Sequence, residues 1–302
     1  MQMFTVHRPK DSADRKLLAI RSMILYNKII NTDRSNIMNL NHTKSSALTT
    51  QELIARIRTY LSYHEIQMRE MLTQEPLLGS FSAQLLPADS DRVCFCGTGR
   101  TAANARAMAY LQCFTSLYTQ SCPEDNSILC AGRSAAEACA EGLSSLLADR
   151  AAARLQDLSA APEIPESVIG GYPEASRMYR LLKREYGDRI QIRDISGGGI
   201  QLTAALIFRD AVTFASHPDA GCALERLLVN AAHGSDFANA EYDSGENSGI
   251  YLQQMLQKLR RSGYEIRLKD CPAAGIPMIR IRLRQYSCIQ LTGCRPVLQP
   301  QI

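Results

Sequence analysis

The 302-residue chain contains no tryptophan and no apolar run long enough to form a helix across a bilayer, so a helical membrane-spanning protein is excluded. Its first residues lack the apolar core of a secretory signal, and the expectation is a cytoplasmic chain whose thiols stay reduced. It has ten cysteines but no C-x-x-C pair, and no histidine stands at zinc-finger spacing from a cysteine pair. A structural metal is therefore not expected, and the cysteines read as small buried hydrophobes. Charge of one sign is also scarce. The net charge is +4, with residues 1–73 contributing +5 and the remainder −1. That excess is too dilute to indicate a nucleic-acid or membrane partner. A hydrophobic share of 45% against 21% charged residues excludes an intrinsically disordered chain, and the length suffices for a sizeable core.

The pattern along the chain is mixed. Residues 1–50 turn polar and Asn/Ser/Thr-rich from about position 31, with a helix read over 14–30 followed by a linker. Met23 and Met38 are alternative starts. Thr50 reads as the N-cap of an amphipathic helix to about Leu72. Its apolar stripe is Leu53, Ile57, Leu61 and Ile66, and Arg56, Arg58 and Arg69 lie on the other face. The stripe must be buried either on the chain's own core or against another chain, and an interface is the favoured expectation, which makes the protein an oligomer or a subunit. From Pro76 the spacing becomes α/β. Strands are predicted over 92–96, 128–131, 190–195, 200–208, 264–269 and 276–283. Helices are predicted over 102–119, 134–154 (opened by a Ser134/Glu137 capping box), 173–187, 218–233 and 250–262. Leu143, Leu146 and Leu147 form the buried stripe of the second of these helices.

Gly97, Thr98, Gly99, Arg100 and Thr101 stand between a predicted strand and a helix start. There, backbone N–H groups, the helix dipole and Arg100 can hold an anion, and the other reading is an ordinary tight turn. It is not a Walker A loop, because no Lys-Ser/Thr follows at the required spacing. Gly197–Gly199 reads as a flexible strand connection. Cys94 and Cys96 precede the first turn, but no histidine near in sequence can serve as their base. His217 caps one helix start and His233 ends that helix, both read as structural. Asp243 and Glu246 fall in a polar loop over 239–248 whose spacing is not that of a calcium loop, and it reads as solvated.

The order of segments over about 92–283 resembles the YcaO family. The points of likeness begin with Gly97-Thr98-Gly99-Arg100-Thr101 before Ala105-Arg106-Ala107-Met108-Ala109. They continue with Ala131-Gly132, Ser134, Glu137-Ala138 and Gly142-Leu143, then with His217-Pro218-Asp219, Ala223-Leu224 and Leu227-Leu228. The last are Leu259, Gly263-Tyr264-Glu265-Ile266, Asp270 and Gly275-Ile276-Pro277. The resemblance implies an α/β (mixed α+β) YcaO-like domain over 76–295, behind an N-terminal extension over 1–50 and an amphipathic helix over 51–75, with a tail at 296–302. It also implies ATP-dependent activation of backbone amides in ribosomal peptides, giving azolines or thioamides, on a precursor often delivered by a partner protein.

The departures decide what is expected of function. The family's magnesium and nucleotide residues are a Glu then a Glu-Arg in each of two motifs and a Glu then a Gln in the third. They fall on Gln112, Thr115 and Ser116, on Ser145, Ala148 and Asp149, and on Asn230 and His233, so the five expected Glu become Gln112, Thr115, Ser145, Ala148 and Asn230. A one-residue slip would leave Asp149-Arg150 under one Glu-Arg pair. The family's proline-rich tail is reduced to Pro296 and Pro300. Mg²⁺ is a hard cation that needs carboxylate charge beside ATP phosphates. With these acids gone, the expectation is a degenerate, non-catalytic member. It would act as a binding or scaffold subunit in peptide modification, with no cofactor and a peptide or protein partner. One alternative is an active Mg-ATP enzyme with a rearranged metal site. Another is an anion- or small-molecule-binding protein that reuses the nucleotide cleft.

Overall fold

The structure, a computed structural model, describes residues 47–89, 95–121, 127–154, 157–187, 190–196, 199–208, 211–234, 241–243 and 248–285. The predicted helix at 14–30, Cys94, Gly197, Gly198, Glu246 and the tail with Pro296 and Pro300 lie outside them. The described residues form a mixed α/β fold of seven α-helices and ten strands.

Helix α1 (Thr50–Tyr63) opens one residue earlier than its pattern suggests, because Thr49 is the cap. Its hydroxyl accepts from Glu52 N at 3.2 Å, and the Glu52 carboxylate accepts from Thr49 N at 2.8 Å. This reciprocal box satisfies two otherwise unpaired donors. The helix stops far short of Leu72. After a turn through Glu65 at φ 58°, the chain becomes strand β1 (Met68–Glu75), which pairs antiparallel with β2 (Ser80–Pro87). The helix-favouring residues Met68, Arg69, Glu70 and Leu72 are overridden here by pairing with β2, since strand pairing outweighs weak local propensity.

The α1 stripe is not an interface. Leu53 and Ile57 are fully buried and Leu61 is buried, all packed in one core with Leu85 of β2 and with Met108 and Phe114 of helix α2 (Ala102–Ser121). The amphipathic helix is therefore part of the same compact unit, Ser45–Arg284, as the elements that follow, not an extension ahead of it.

Strand β3 (Phe95–Gly99) lies between β2, antiparallel, and β8 (Glu241–Asp243), parallel, in the sheet order β1-β2-β3-β8. It runs on to Gly99, so Gly97 and Gly99 are strand residues rather than a turn. Their lack of a side chain lets α2 lie directly on the sheet. A Cβ on Gly97 would collide with Ala109 N and Ala105 O, and one on Gly99 would lie 2.8 Å from Asn104 Cβ.

Strand β4 (Ile128–Ala131) leads into helix α3 (Ala135–Arg154), where Leu143 and Leu147 are buried and Leu146 is only partly so. A short α4 (Glu166–Ile169) precedes α5 (Pro173–Tyr186), which Gly187 closes at φ 70°. Strands β5 (Gln191–Asp194), β6 (Leu202–Phe208) and β7 (Ala211–His217) form an antiparallel sheet. No strand was expected over the last of these. Helix α6 (Ala220–His233) follows, with Asp219 rather than His217 as its cap. The Asp219 carboxylate accepts from Cys222 N at 2.9 Å. Helices α5 and α6 pack with this sheet in a second core around Leu182, Leu206, Leu224 and Leu228. Helix α7 (Leu252–Arg261) and strands β9 (Tyr264–Asp270) and β10 (Met278–Gln285) complete the fold, in a sheet ordered β4-β10-β9.

Because the α1 stripe faces the chain's own core, Ile57→Ala is expected to cost about 2–5 kcal/mol in urea denaturation. The pair Ile57→Glu and Leu61→Glu is expected to abolish cooperative unfolding by circular dichroism. A double variant that stays folded and only changes its mass in solution would contradict this packing.

Candidate functional site

The eight positions where the resemblance expects metal and nucleotide groups do not converge on one site. Asn230 is fully buried on α6 and accepts from the Thr98 hydroxyl at 2.6 Å. Gln112 of α2 accepts from Cys96 N at 2.8 Å. These two brace strand β3. His233 of α6 meets the Ser80 hydroxyl at 3.1 Å on β2. The Thr115 carbonyl accepts from the Thr119 hydroxyl within α2, and Ser116 is partly buried. On α3, Ser145 and Asp149 are exposed and Ala148 is partly buried. Arg150, the neighbour that a one-residue slip would recruit, donates instead to the Leu283 carbonyl at 2.6 Å. At Asn230 a neutral amide is well matched by one hydroxyl donor, whereas a carboxylate buried there would need a compensating charge.

The glycine segment holds no cradle. The backbone of Gly97, Thr98 and Gly99 is in register with Ala83, Ser82 and Phe81 on one side and with Glu241, Tyr242 and Asp243 on the other. Arg100 N donates to the Asp243 carbonyl at 3.2 Å. The Thr101 hydroxyl caps α2 by accepting from Asn104 N at 3.1 Å. The Arg100 guanidinium is bound to Glu225 at 2.6 Å.

What the fold gathers instead is a set of arginine–carboxylate pairs around one narrow cleft. The cleft lies where α2, β4, α3, α6 and β8 meet, with Leu53 of α1 at one wall. Arg133 follows β4 and bonds the Glu137 carboxylate at 2.5 Å and the Asp243 carboxylate at 3.1 Å. Arg226 of α6 bonds Glu141 at 3.3 Å and donates to the carbonyls of Ser216 and Tyr242. Arg100 and the Tyr242 hydroxyl both donate to Glu225. The cavity left among these groups has a volume of about 20 Å³, room for one water.

The electrostatics follow from burial and pairing. Burial works against the charge of Arg100, but Glu225 and then Tyr242 outweigh it and its pKa is raised. Burial likewise opposes Arg133, which Glu137 and Asp243 overcompensate. Desolvation, reinforced by Glu225, pushes the Tyr242 phenol up and keeps it a neutral donor. His217 lines the cleft, and burial pushes its pKa down, partly opposed by Glu141. Burial alone takes the Cys139 thiol up to about 12, which leaves it inert.

Sequence reading placed Asp243 in a solvated loop, whereas it is 5% exposed and pairs with Arg133. It took Glu137 for a capping-box member. The Ser134 hydroxyl does accept from Glu137 N, but the carboxylate turns to Arg133, both backbone N and guanidinium. It passed over Glu141, Glu225, Arg226 and Tyr242. The available signal was the number of ionisable residues on helices that otherwise bury most of their surface.

No protein-family model matches the chain, and no curated protein matches it.

Removing the Arg133 side chain would leave Glu137 and Asp243 buried without their partner. Arg133→Ala is expected to lose about 3–5 kcal/mol of unfolding free energy, read by urea titration. A loss under 1 kcal/mol would show the pair to be dispensable. A pH effect is expected at His233, whose pKa burial lowers from 6.5 to about 4. The folded chain keeps it neutral while the unfolded chain protonates, so its stabilisation is complete above pH 6.5. It falls as the pH drops toward 4, by up to about 3 kcal/mol. His233→Gln is expected to flatten that part of the stability–pH curve.

Proposed function

We propose that the chain is a degenerate, non-catalytic YcaO-like protein that acts as a binding or scaffold subunit in ribosomal-peptide modification. The observation that carries this reading is the state of its cleft: the acids around it are held by the chain's own arginines, and the remaining space fits one water. Magnesium bound through carboxylates needs their charge free, and a nucleotide needs space for phosphates and base. Here the guanidiniums of Arg133 and Arg226 already neutralise the acids that line the cleft. The five positions where the resemblance expects acids carry neutral groups: Gln112 and Asn230 brace β3, Ser145 is exposed, and Thr115 and Ala148 are partly buried. The same small volume argues against a small molecule in that cleft.

One observation favours the second reading, an ATP-dependent amide-activating enzyme with a rearranged metal site. Glu137, Glu141 and Asp243 line a single cleft, with Glu225 beside it. That reading requires magnesium to displace the arginines from them. The two readings part in a calorimetric titration of the purified chain with ATP and Mg²⁺. Binding is expected to be no tighter than about millimolar, roughly −4 kcal/mol. Micromolar binding that depends on Mg²⁺ would overturn the non-catalytic reading.

A further inference from the structure

The turn from β7 into α6 reads His217-Pro218-Asp219-Ala220-Gly221-Cys222. It places one nitrogen, one oxygen and one sulfur donor together. Ligand atoms of His217, Asp219 and Cys222 all lie within 4.8 Å of one another. The geometry points to a zinc site formed by these three side chains, with its fourth position toward the cleft.

Three observations carry it. The first is the donor set. Imidazole, carboxylate and thiolate together suit Zn²⁺, whereas Mg²⁺ and Ca²⁺ take oxygen ligands and do not select a thiol. The second is spacing. Zn–S and Zn–N/O bonds of about 2.3 and 2.1 Å put the ligand atoms of a tetrahedral site about 3.4–3.8 Å apart. The three ligand atoms already lie within 4.8 Å of one another, and side-chain rotation on a turn of fixed backbone closes them on an ion. The third is the space beside it. His217 and Cys222 both line the cleft, whose 20 Å³ admits one water as fourth ligand, and Glu141 lines the same cavity.

The surroundings are compatible. The Asp219 N–H donates to His217 Nδ1 at 3.0 Å, and the Asp219 backbone carbonyl lies 3.2 Å from the same nitrogen. These two contacts orient the ring; ligation through Nε2 moves the ring proton to Nδ1, where the Asp219 carbonyl accepts it in place of the bond from Asp219 N, the usual arrangement behind a zinc-bound histidine. One Asp219 oxygen caps Cys222 N, and the carboxylate has a second oxygen for the ion. Arg226, which lines the same cleft, is bound to Glu141 and to backbone carbonyls. On binding, the Cys222 thiol gives its proton to solvent, and the resulting thiolate with the Asp219 carboxylate neutralises the two charges of Zn²⁺. The site does not use the nucleotide acids, so it stands or falls apart from the reading above.

The test uses the full chain, stripped of metal under reducing conditions and titrated with Zn²⁺ against a chromophoric chelator, then with Co²⁺. One equivalent of Zn²⁺ is expected to bind with submicromolar affinity. Co²⁺ is expected to show a thiolate-to-metal charge-transfer band in the near ultraviolet. Cys222→Ser is expected to remove that band and weaken Zn²⁺ at least 100-fold, while Cys96→Ser and Cys139→Ser leave both unchanged. Should Cys222→Ser fail to fold, Asp219→Asn serves, since asparagine caps the helix equally well but lacks the charge. It is expected to weaken Zn²⁺ by at least tenfold with the far-ultraviolet spectrum intact. Failure of the folded chain to bind Zn²⁺, a cobalt band that survives Cys222→Ser, or unchanged affinity in Asp219→Asn would each overturn the site.

Discussion

The centre of this molecule depends on a guanidinium held between two buried acids. Arg133 joins Glu137 in the first turn of α3 to Asp243 on the three-residue strand β8, and so links the β4–α3 corner to the four-stranded sheet. A strand of three residues has little pairing energy of its own. Asp243 compensates by being held at two ends, its carboxylate by Arg133 and its carbonyl by Arg100 N and Asn104. Arg226 of α6 pairs with Glu141 of α3, and Arg100 pairs with Glu225 of α6. Buried pairs of this kind add little over an apolar core, but they are costly to break one partner at a time. Their effect is therefore on which elements sit together more than on total stability.

The same network determines what the cleft can do. Acids that surround a cavity suit a cation only while their charge is free. Here each of the four is answered by an arginine of the chain, and Tyr242 adds a hydroxyl donor to Glu225. At the neighbouring neutral positions the side chains have turned to structural work. Asn230 and Gln112 satisfy a hydroxyl and a backbone N–H of β3 in places where a lone carboxylate would carry a desolvation cost.

Much of the element order was legible in the chain. Helices α2, α3, α5 and α6 and strands β4, β5, β6, β9 and β10 follow from apolar spacing, from the Ser134 cap, and from Gly187 and Gly263 at positive φ. Two elements were not. β1 is composed of helix-favouring residues and is exposed along most of its length, so it carries no period-2 signal. β7 lacks a turn signal that separates it from the elements around it. Gly97 and Gly99 were misread for a different reason. Glycine marks both tight turns and close backbone approach, and only the packing of α2 on β3 tells the two apart.

The sequence by itself determined the mixed class of the fold and most of its helices and strands. It also determined the neutrality of the positions where the resemblance expects acids. These are local properties, carried by side-chain type and spacing. It did not determine the use of its charges. Whether Leu53, Ile57 and Leu61 face a partner or the chain's own core, and whether Asp243 is solvated or buried, depends on which distant segments arrive beside them. Glu137 and Glu141 come from α3, Glu225 from α6 and Asp243 from β8, and Arg100, Arg133 and Arg226 stand in three different segments. Opposite charges far apart in the chain become a network only when folding removes the water between them, and that step belongs to the tertiary structure alone.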